Sequence, residues 1–309
     1  MTTHSDRPHN LLAGVGLMLL STLFFSISDA LGKWLTTLYS ISQIAFIRCV
    51  VGVIILLSLM LYSARLGDLK SSRPGWHIVR SLVSTAVLFA MFYGLRHLPL
   101  AEFVALCFSI PFFIALTSPW FLNEHVDRQS WIAIIVGFIG ILIILRPSPE
   151  HLHLAHLVTL LLAFAVALLI VSARYLMDTE NFHSINFYIY PASLLLFGID
   201  STYRWIPPNP AHWLALISLG VCTTIALACY IQANRHARPA VVAPIDYIRM
   251  IWIILLGYYF WGEIPDLYTC IGMVIIIVSG IYVVRHTGTT PEVYSAQGLG
   301  DEGIESIDE

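Results

Sequence analysis

Long apolar stretches recur along this chain, and most of its charged side chains fall in the short gaps between them. A bilayer core demands about 20 apolar residues per helical span, which is the length of these stretches. They lie near 11–32, 43–62, 77–95, 100–121, 131–146, 154–175, 185–203, 213–234, 239–261 and 267–284. Only 11% of the residues are charged and the mean hydropathy is +0.79, values that one anchor on a globular domain does not produce. A spanning β-barrel would read as short alternating segments, and these stretches do not alternate. The pattern predicts an all-α membrane protein with ten transmembrane helices. Gly67-Asp68, Asn123-Glu124 and Pro207-Pro208-Asn209-Pro210 are among the turn signals between spans.

Several function classes fall away on composition. The net charge of −3 leaves no basic stripe for a nucleic acid. The five cysteines lie inside apolar spans without a CxxC pair, so neither a disulfide framework nor a zinc site is expected. No HxxxH or HExxH spacing occurs among the histidines and no GxxxxGK[ST] loop is present, so no metal, no ATP hydrolysis by this chain and no cofactor are expected. The first apolar run continues past Leu20 to Leu31 without a small-residue cleavage site, as a retained helix does. The glycine-rich, acidic segment 286–309 is expected to be a disordered cytoplasmic tail.

Lysine and arginine placement gives an orientation. With the N-terminus cytoplasmic, Arg7, Arg65, Lys70, Arg73, Arg80, Arg128, Arg174, Arg235, Arg238 and Arg285 lie inside. Lys33, Arg96, Arg146 and Arg204 lie outside, and Arg48 and Arg249 fall within spans. Both termini are therefore expected in the cytoplasm.

The sequence also repeats. At an offset of 139 residues (96 to 235), Arg96-His97 falls on Arg235-His236, Glu124 on Glu263, Asp127 on Asp266 and Arg146 on Arg285, without a gap. Chance alignment of hydrophobic stretches explains apolar matches, but not charged ones at one offset. The expectation is two five-helix units, 11–146 and 154–285. Five is odd, so the second unit enters the membrane from the opposite side, an inverted repeat of the kind secondary transporters use around a midplane site.

The run Phe92-Tyr93-Gly94-Leu95-Arg96-His97-Leu98-Pro99-Leu100-Ala101, then Ser109-Ile110-Pro111 and Phe121-Leu122-Asn123-Glu124, resembles the EamA unit of the drug/metabolite transporter superfamily. So does Ala237-Arg238-Pro239-Ala240-Val241-Val242-Ala243-Pro244 with Phe260-Trp261-Gly262-Glu263, as do Gly272, Gly280 and the in-span Arg48. The resemblance covers about residues 11–285. It implies ten helices, a cavity lined by helices 1–4 and 6–9, cytoplasmic termini and a bacterial inner membrane. Ser28-Asp29 with Lys33, and Ala243-Pro244-Ile245-Asp246-Tyr247, are most similar to members carrying S-adenosylmethionine or riboflavin. Arg249 departs from the usual apolar pattern.

Charges inside spans cost roughly 2.5–3.5 kcal/mol each on insertion scales, so they need partners or water. Asp29 and Lys33, four apart, share a helix face, and Asp246 and Arg249, three apart, share another. With Arg48, they read as a polar cavity holding a charged substrate or as a proton-coupling carboxylate. The plainer alternatives are self-neutralising pairs along one helix and a snorkelling Lys33. Tyr93, Tyr247 and Trp252 are placed to stack on a planar ligand, with core packing the plainer role. Pro111, Pro191 and Pro244 are expected as kinks or hinges inside helices.

The expected function is a secondary transporter of a small polar metabolite, nucleoside-like or amino-acid-like, with the lipid bilayer and the substrate as its partners; a homodimer is compatible with this. A sensor or assembly partner without transport is the alternative. An intramembrane enzyme ranks lower, because no nucleophile–base–metal constellation converges.

Overall fold

The computed structural model describes residues 11–122, 128–145, 153–177, 179–236 and 245–287, and among these every regular element is helical. Helix α1 (Leu11–Leu38) runs further than the expected 32, because Leu35 and Thr36 are buried and keep its last turn packed. Ser40 then caps α2 (Ile41–Tyr62) by accepting from the Gln43 amide at 3.2 Å. Helix α3 (Pro74–His97) opens on a proline, whose missing N–H is harmless in a first turn. Helices α4 (Leu100–Cys107), α5 (Ile110–Leu122), α6 (Arg128–Leu145) and α7 (Leu154–Leu176) follow. After them come α8 (Phe182–Phe187), α9 (Pro191–Tyr203), α10 (Pro210–His236), α11 (Arg249–Trp261) and α12 (Leu267–Thr287). Gly262, with φ 66°, closes α11 in the left-handed conformation that favours glycine.

Six helical stretches are long and apolar enough to cross a membrane: Leu12–Leu38, Ile41–Tyr62, Pro74–His97, Leu100–Phe121, Leu154–Leu176 and Pro210–Asn234. Trp131–Leu145, Arg249–Trp261 and Leu267–Tyr282 are shorter apolar helices. The protein is thus an all-α integral membrane protein. Its outer surface agrees: Ile132, Ile135, Ile139 and Leu142 form an exposed apolar stripe on α6, and Ile271, Val274 and Val278 another on α12. Such stripes would be a liability in water and are at home against lipid.

The expected single helices at 100–121 and 185–203 are divided. The first breaks at Phe108-Ser109, where the Ser109 amide bonds Leu106 O and the Phe112 amide bonds Ser109 O, both at 3.0 Å. The second breaks between α8 and α9, at Tyr188–Tyr190. A further pair of tight turns precedes α11, where the Ile248 amide bonds Ile245 O and the Ile251 amide bonds Ile248 O, both at 2.9 Å. These are three-residue turns in place of four-residue helical ones. Leu106, Ser109 and Phe112 correspond to Ile245, Ile248 and Ile251 at the 139-residue offset (106 to 245).

In the packing, α1 lies along α10 and α6 along α12, α3 and α5 lean on α7, and α11 rests against α1 and α4. The interior centres on Phe92, Leu95, Leu100, Phe103, Leu106 and Phe112. Helices α6 and α12 approach backbone to backbone at Gly140 and Gly272, as small residues allow between membrane helices: a Cβ at Gly272 would lie 2.6 Å from Gly140 O.

Candidate functional site

Asp29 lies on α1 with 4% of its surface exposed. Its carboxylate accepts a hydrogen bond from Arg249 Nη2 at the start of α11. The guanidinium also stands 5.1 Å from the Phe25 ring, one turn back on α1. Arg249 Nε and Trp252 Nε1 are buried and find no acceptor among the described residues. This pairing corrects the alternative in which Asp29 neutralises Lys33 along one helix. Across the α1–α11 contact the arginine reaches the aspartate directly, while Lys33 is drawn elsewhere.

Lys33 Nζ donates to Glu263 Oε1 at 2.5 Å and to Leu98 O at 2.7 Å. Glu263 Oε2 in turn accepts from the Leu100 amide at 2.8 Å, the first residue of α4. The ammonium also lies 5.6 Å from the Trp261 ring. One node thus ties the last third of α1 to the α3–α4 link and the end of α11. Lys33 therefore does not snorkel outward; only 9% of its side chain is exposed. Glu263 was visible in the sequence as a repeat match, yet its role as a lysine partner was not, because the partner is 230 residues away.

Arg48, on α2, faces α3. Its Nη1 contacts Met91 Sδ at 3.3 Å and its guanidinium stands 5.8 Å from the Phe92 ring. Asp29 is an electrostatic neighbour of both Arg48 and Arg249. Asp246 belongs to the tight turns before α11. It makes no hydrogen bond among the described residues, and Arg249, three residues on, is its charged neighbour. Arg48, Asp29, Arg249 and Asp246 therefore form one electrostatic group with a single direct ion pair.

The remaining sequence candidates sit elsewhere. Tyr93 lies tilted against His97, ring centroids 4.2 Å apart, and stacks on Phe89. Tyr247 packs on Phe108 with centroids 4.8 Å apart, and its hydroxyl presses on Gly280 of α12. Pro111 is the second residue of α5 and Pro191 the first of α9, so both follow breaks instead of kinking a continuous helix. Pro119 is the proline inside a described helix. Pro244 lies outside the described residues, as does nearly all of the acidic tail.

Other buried polar groups escaped the sequence reading. Arg80, assigned to the cytoplasmic side with the loop charges, is a buried α3 residue that donates to Leu169 O at 2.7 Å and Ser172 Oγ at 2.6 Å on α7. Between α7 and α8, Glu180 accepts from the Ser72 and Arg73 amides at 2.8 Å and from the Ser71 and Ser72 hydroxyls, and meets His77 Nε2 at 3.3 Å. Burial pushes its carboxyl up, but the hydrogen bonds from Ser72, His77 and Ser71 outweigh that and hold it at about 2. Glu102 meets His156 Nε2 at 3.1 Å.

A cavity of about 400 Å³ near the Lys33–Glu263 node is lined by His97, Glu102, His153, His156, Glu263 and Asp266 among others. An apolar groove of about 540 Å³ between α1 and α11 is lined by Ile27, Leu31, Trp34 and Phe260 among others. Neither is lined by Asp29 or Arg249, so the charged group lies inside the helix packing. No cluster able to hold a metal ion occurs among the described residues.

The EamA-like transporter family matches residues 12–146 and 153–285. An S-adenosylmethionine uptake transporter of Rickettsia felis is 29% identical over 280 residues, covering 91% of this chain and 95% of the relative. A pseudopaline exporter of Pseudomonas aeruginosa is 29% identical over 279 residues, covering 89% and 97%. A riboflavin transporter of Vibrio cholerae is 26% identical over 285 residues, covering 90% and 94%. A solved crystal structure shares the fold with a TM-score of 0.58 at 18% identity, over 90% of this chain and 98% of that one.

Proposed function

The chain belongs to the EamA-like transporter family, and from that premise we propose that it is a secondary transporter that moves a small polar metabolite by alternating access through ten membrane helices in two inverted repeats, 11–146 and 154–285. Membership already makes it an integral-membrane small-molecule transporter and not an enzyme. The single observation that carries the rest is the buried Asp29–Arg249 pair, which joins a helix of the first unit to a helix of the second. An ion pair inside the bilayer is costly to desolvate and is often replaceable by apolar residues without loss of stability, so stability alone is a weak reason for its presence and a role in transport the better one. It lies nine residues before the end of α1 and at the start of α11, where these two helices pack on each other.

The inverted arrangement draws support from the matched tight turns at Leu106–Phe112 and Ile245–Ile251. Helices interrupted near mid-membrane expose backbone groups that can line a path, and two related interruptions give the bundle two similar ways of packing. The bias of lysine and arginine supports cytoplasmic termini, and the bacterial relatives favour a bacterial inner membrane. Among cargoes, a nucleoside-like or amino-acid-like compound such as S-adenosylmethionine suits the charged group better than riboflavin does, since the latter offers no counter-charges for it.

Reconstitution tests this. Proteoliposomes should take up labelled S-adenosylmethionine or a related metabolite, and Asp246→Asn should abolish the flux while leaving the protein folded. Specific binding without movement of any bound compound in either direction would refute transport.

A further inference from the structure

Resting on that transport reading, we infer that the Lys33–Glu263 node is a gate at the end of the bundle that the lysine and arginine bias favours as the outer one, and that it opens by exchanging its hydrogen bonds for water. The node is assembled from both matched segments. Gly262, at φ 66°, turns the chain back after α11, so that the Glu263 amide bonds Gly257 O at 3.1 Å. The carboxylate then lies over Gly257, where a Cβ would stand 3.6 Å from Glu263 Oε2. From there one oxygen accepts from Lys33 Nζ and the other from the Leu100 amide. Leu100 carries the first amide of α4, because Pro99 has no N–H, and a first-turn amide has no acceptor within its own helix. Leu98 O, on the other side of Pro99, accepts from Lys33. Two side chains thereby answer both backbone groups that flank Pro99 where α3 passes into α4.

Such a contact can open only where water reaches it, since freed backbone groups and charges need new partners. The cavity of about 400 Å³ meets that need. Leu98 and Glu263 line it themselves, together with the ends of α3 and α6, the starts of α4 and α7 and the α11–α12 link, so it lies at one end of the bundle. At about 30 Å³ per molecule it has room for several waters. Glu102 and Asp266 on its wall keep a released ammonium in an acidic setting. Asp29 lies one turn deeper on α1 than Lys33 and does not line the cavity, which sets the node between the cavity and the Asp29–Arg249 pair. The opposite end is tied separately, where Glu180, between α7 and α8, holds the Ser72 and Arg73 amides before α3. Helix α3, 24 residues and about 36 Å long, separates the two ties. Each tie joins the first matched segment to the second, which is what gates that open in turn require.

The test uses the full-length protein with Cys49, Cys222, Cys229 and Cys270 replaced by alanine, which leaves Cys107 of α4, an electrostatic neighbour of Arg249 and Asp29, as its one thiol. A membrane-impermeant thiosulfonate is added to intact bacterial cells or to inverted membrane vesicles, and the labelling rate of Cys107 reads access past the node from each face. Glu263→Gln and Lys33→Gln should each raise the rate in cells by about tenfold or more, the change expected when one charge-assisted hydrogen bond is lost, without raising it in inverted vesicles. Either variant suffices if the other fails to fold. Glu180→Gln, at the opposite end, should leave the rate in cells as it was. Unaltered rates in both node variants, or a rise of equal size from both faces as a merely loosened bundle gives, would overturn the gate. Flux of labelled S-adenosylmethionine is followed alongside. One-sided access in a protein that moves no compound would keep the gate and sink the transport reading, whereas flux with unaltered access would do the converse.

Discussion

Removal of Glu263 should loosen one end of the bundle by an amount the geometry sets. Glu263→Ala deletes two charge-assisted hydrogen bonds, from Lys33 Nζ at 2.5 Å and from the Leu100 amide at 2.8 Å. Hydrogen bonds to charged groups contribute about 1.5–3 kcal/mol each, and removing one partner of a buried pair costs about 3–5 kcal/mol. Because 24% of the Glu263 side chain is exposed, the lower part of that range, about 3 kcal/mol, is expected. Lys33→Met loses the same ion pair but also the bond to Leu98 O. A double-mutant cycle isolates what the two residues share. Unfolding of the four purified proteins in detergent should give a coupling of about 1.5–3 kcal/mol between Lys33 and Glu263. A coupling within about 0.5 kcal/mol of zero would mean that the node is ornamental and that α1 and the end of α11 are held by apolar packing alone.

The Asp29–Arg249 pair should behave differently when removed whole. Asp29→Leu alone should destabilise by about 3–5 kcal/mol, whereas Asp29→Leu with Arg249→Met should restore most of the melting temperature and still lack uptake; full uptake by the double variant would remove the pair from the transport site. Gly272→Ala places a methyl 2.6 Å from both Gly140 O and Ile144 Cγ1, so a loss of about 1–3 kcal/mol is expected in thermal unfolding. Gly16, with open space around it, should tolerate the same change within about 0.5 kcal/mol. Glu180, held at about 2 against an ordinary 4.5, binds its proton more weakly in the fold than in the unfolded chain, so its contribution is whole above about pH 4.5 and vanishes as pH falls through about 2. Melting curves across that window should flatten in Glu180→Gln, and an unchanged slope would contradict the hydrogen-bond account.

The membrane character and most helix positions were legible because they rest on local hydropathy, which each window of sequence carries by itself. What stayed hidden was pairing at a distance. Asp29 and Lys33 stand four residues apart on one face, and local spacing suggested mutual neutralisation. In the fold each finds a partner more than 200 residues away, Arg249 and Glu263, because α11 packs on α1. The burial of Arg80 was hidden for the same reason: it becomes visible only when a neighbouring helix supplies Leu169 O and Ser172 Oγ. Prolines were a poor guide to the breaks, since Pro111 and Pro191 sit in first turns where no amide is required.

That last point bears on how the two halves differ. The tight turns at Leu106–Phe112 and Ile245–Ile251 share a register although Pro111 corresponds to Met250, so one backbone device is built with and without a proline (111 to 250). The side chains at the two turns diverge far more than the backbone. At the same offset Asp246 stands where the first unit has Cys107, Arg249 where it has Ile110, and Trp252 where it has Phe113. Phe108 and Tyr247, the matching aromatics, touch each other, so the two turns meet. The first unit therefore presents an apolar wall at this meeting point, and the second presents the charges. On the proposed alternating-access reading, a substrate reaching this contact would meet unlike surfaces on its two sides. The charges of the first matched segment, Asp29 and Arg48, come instead from α1 and α2, so the polar group draws on helices of both matched segments.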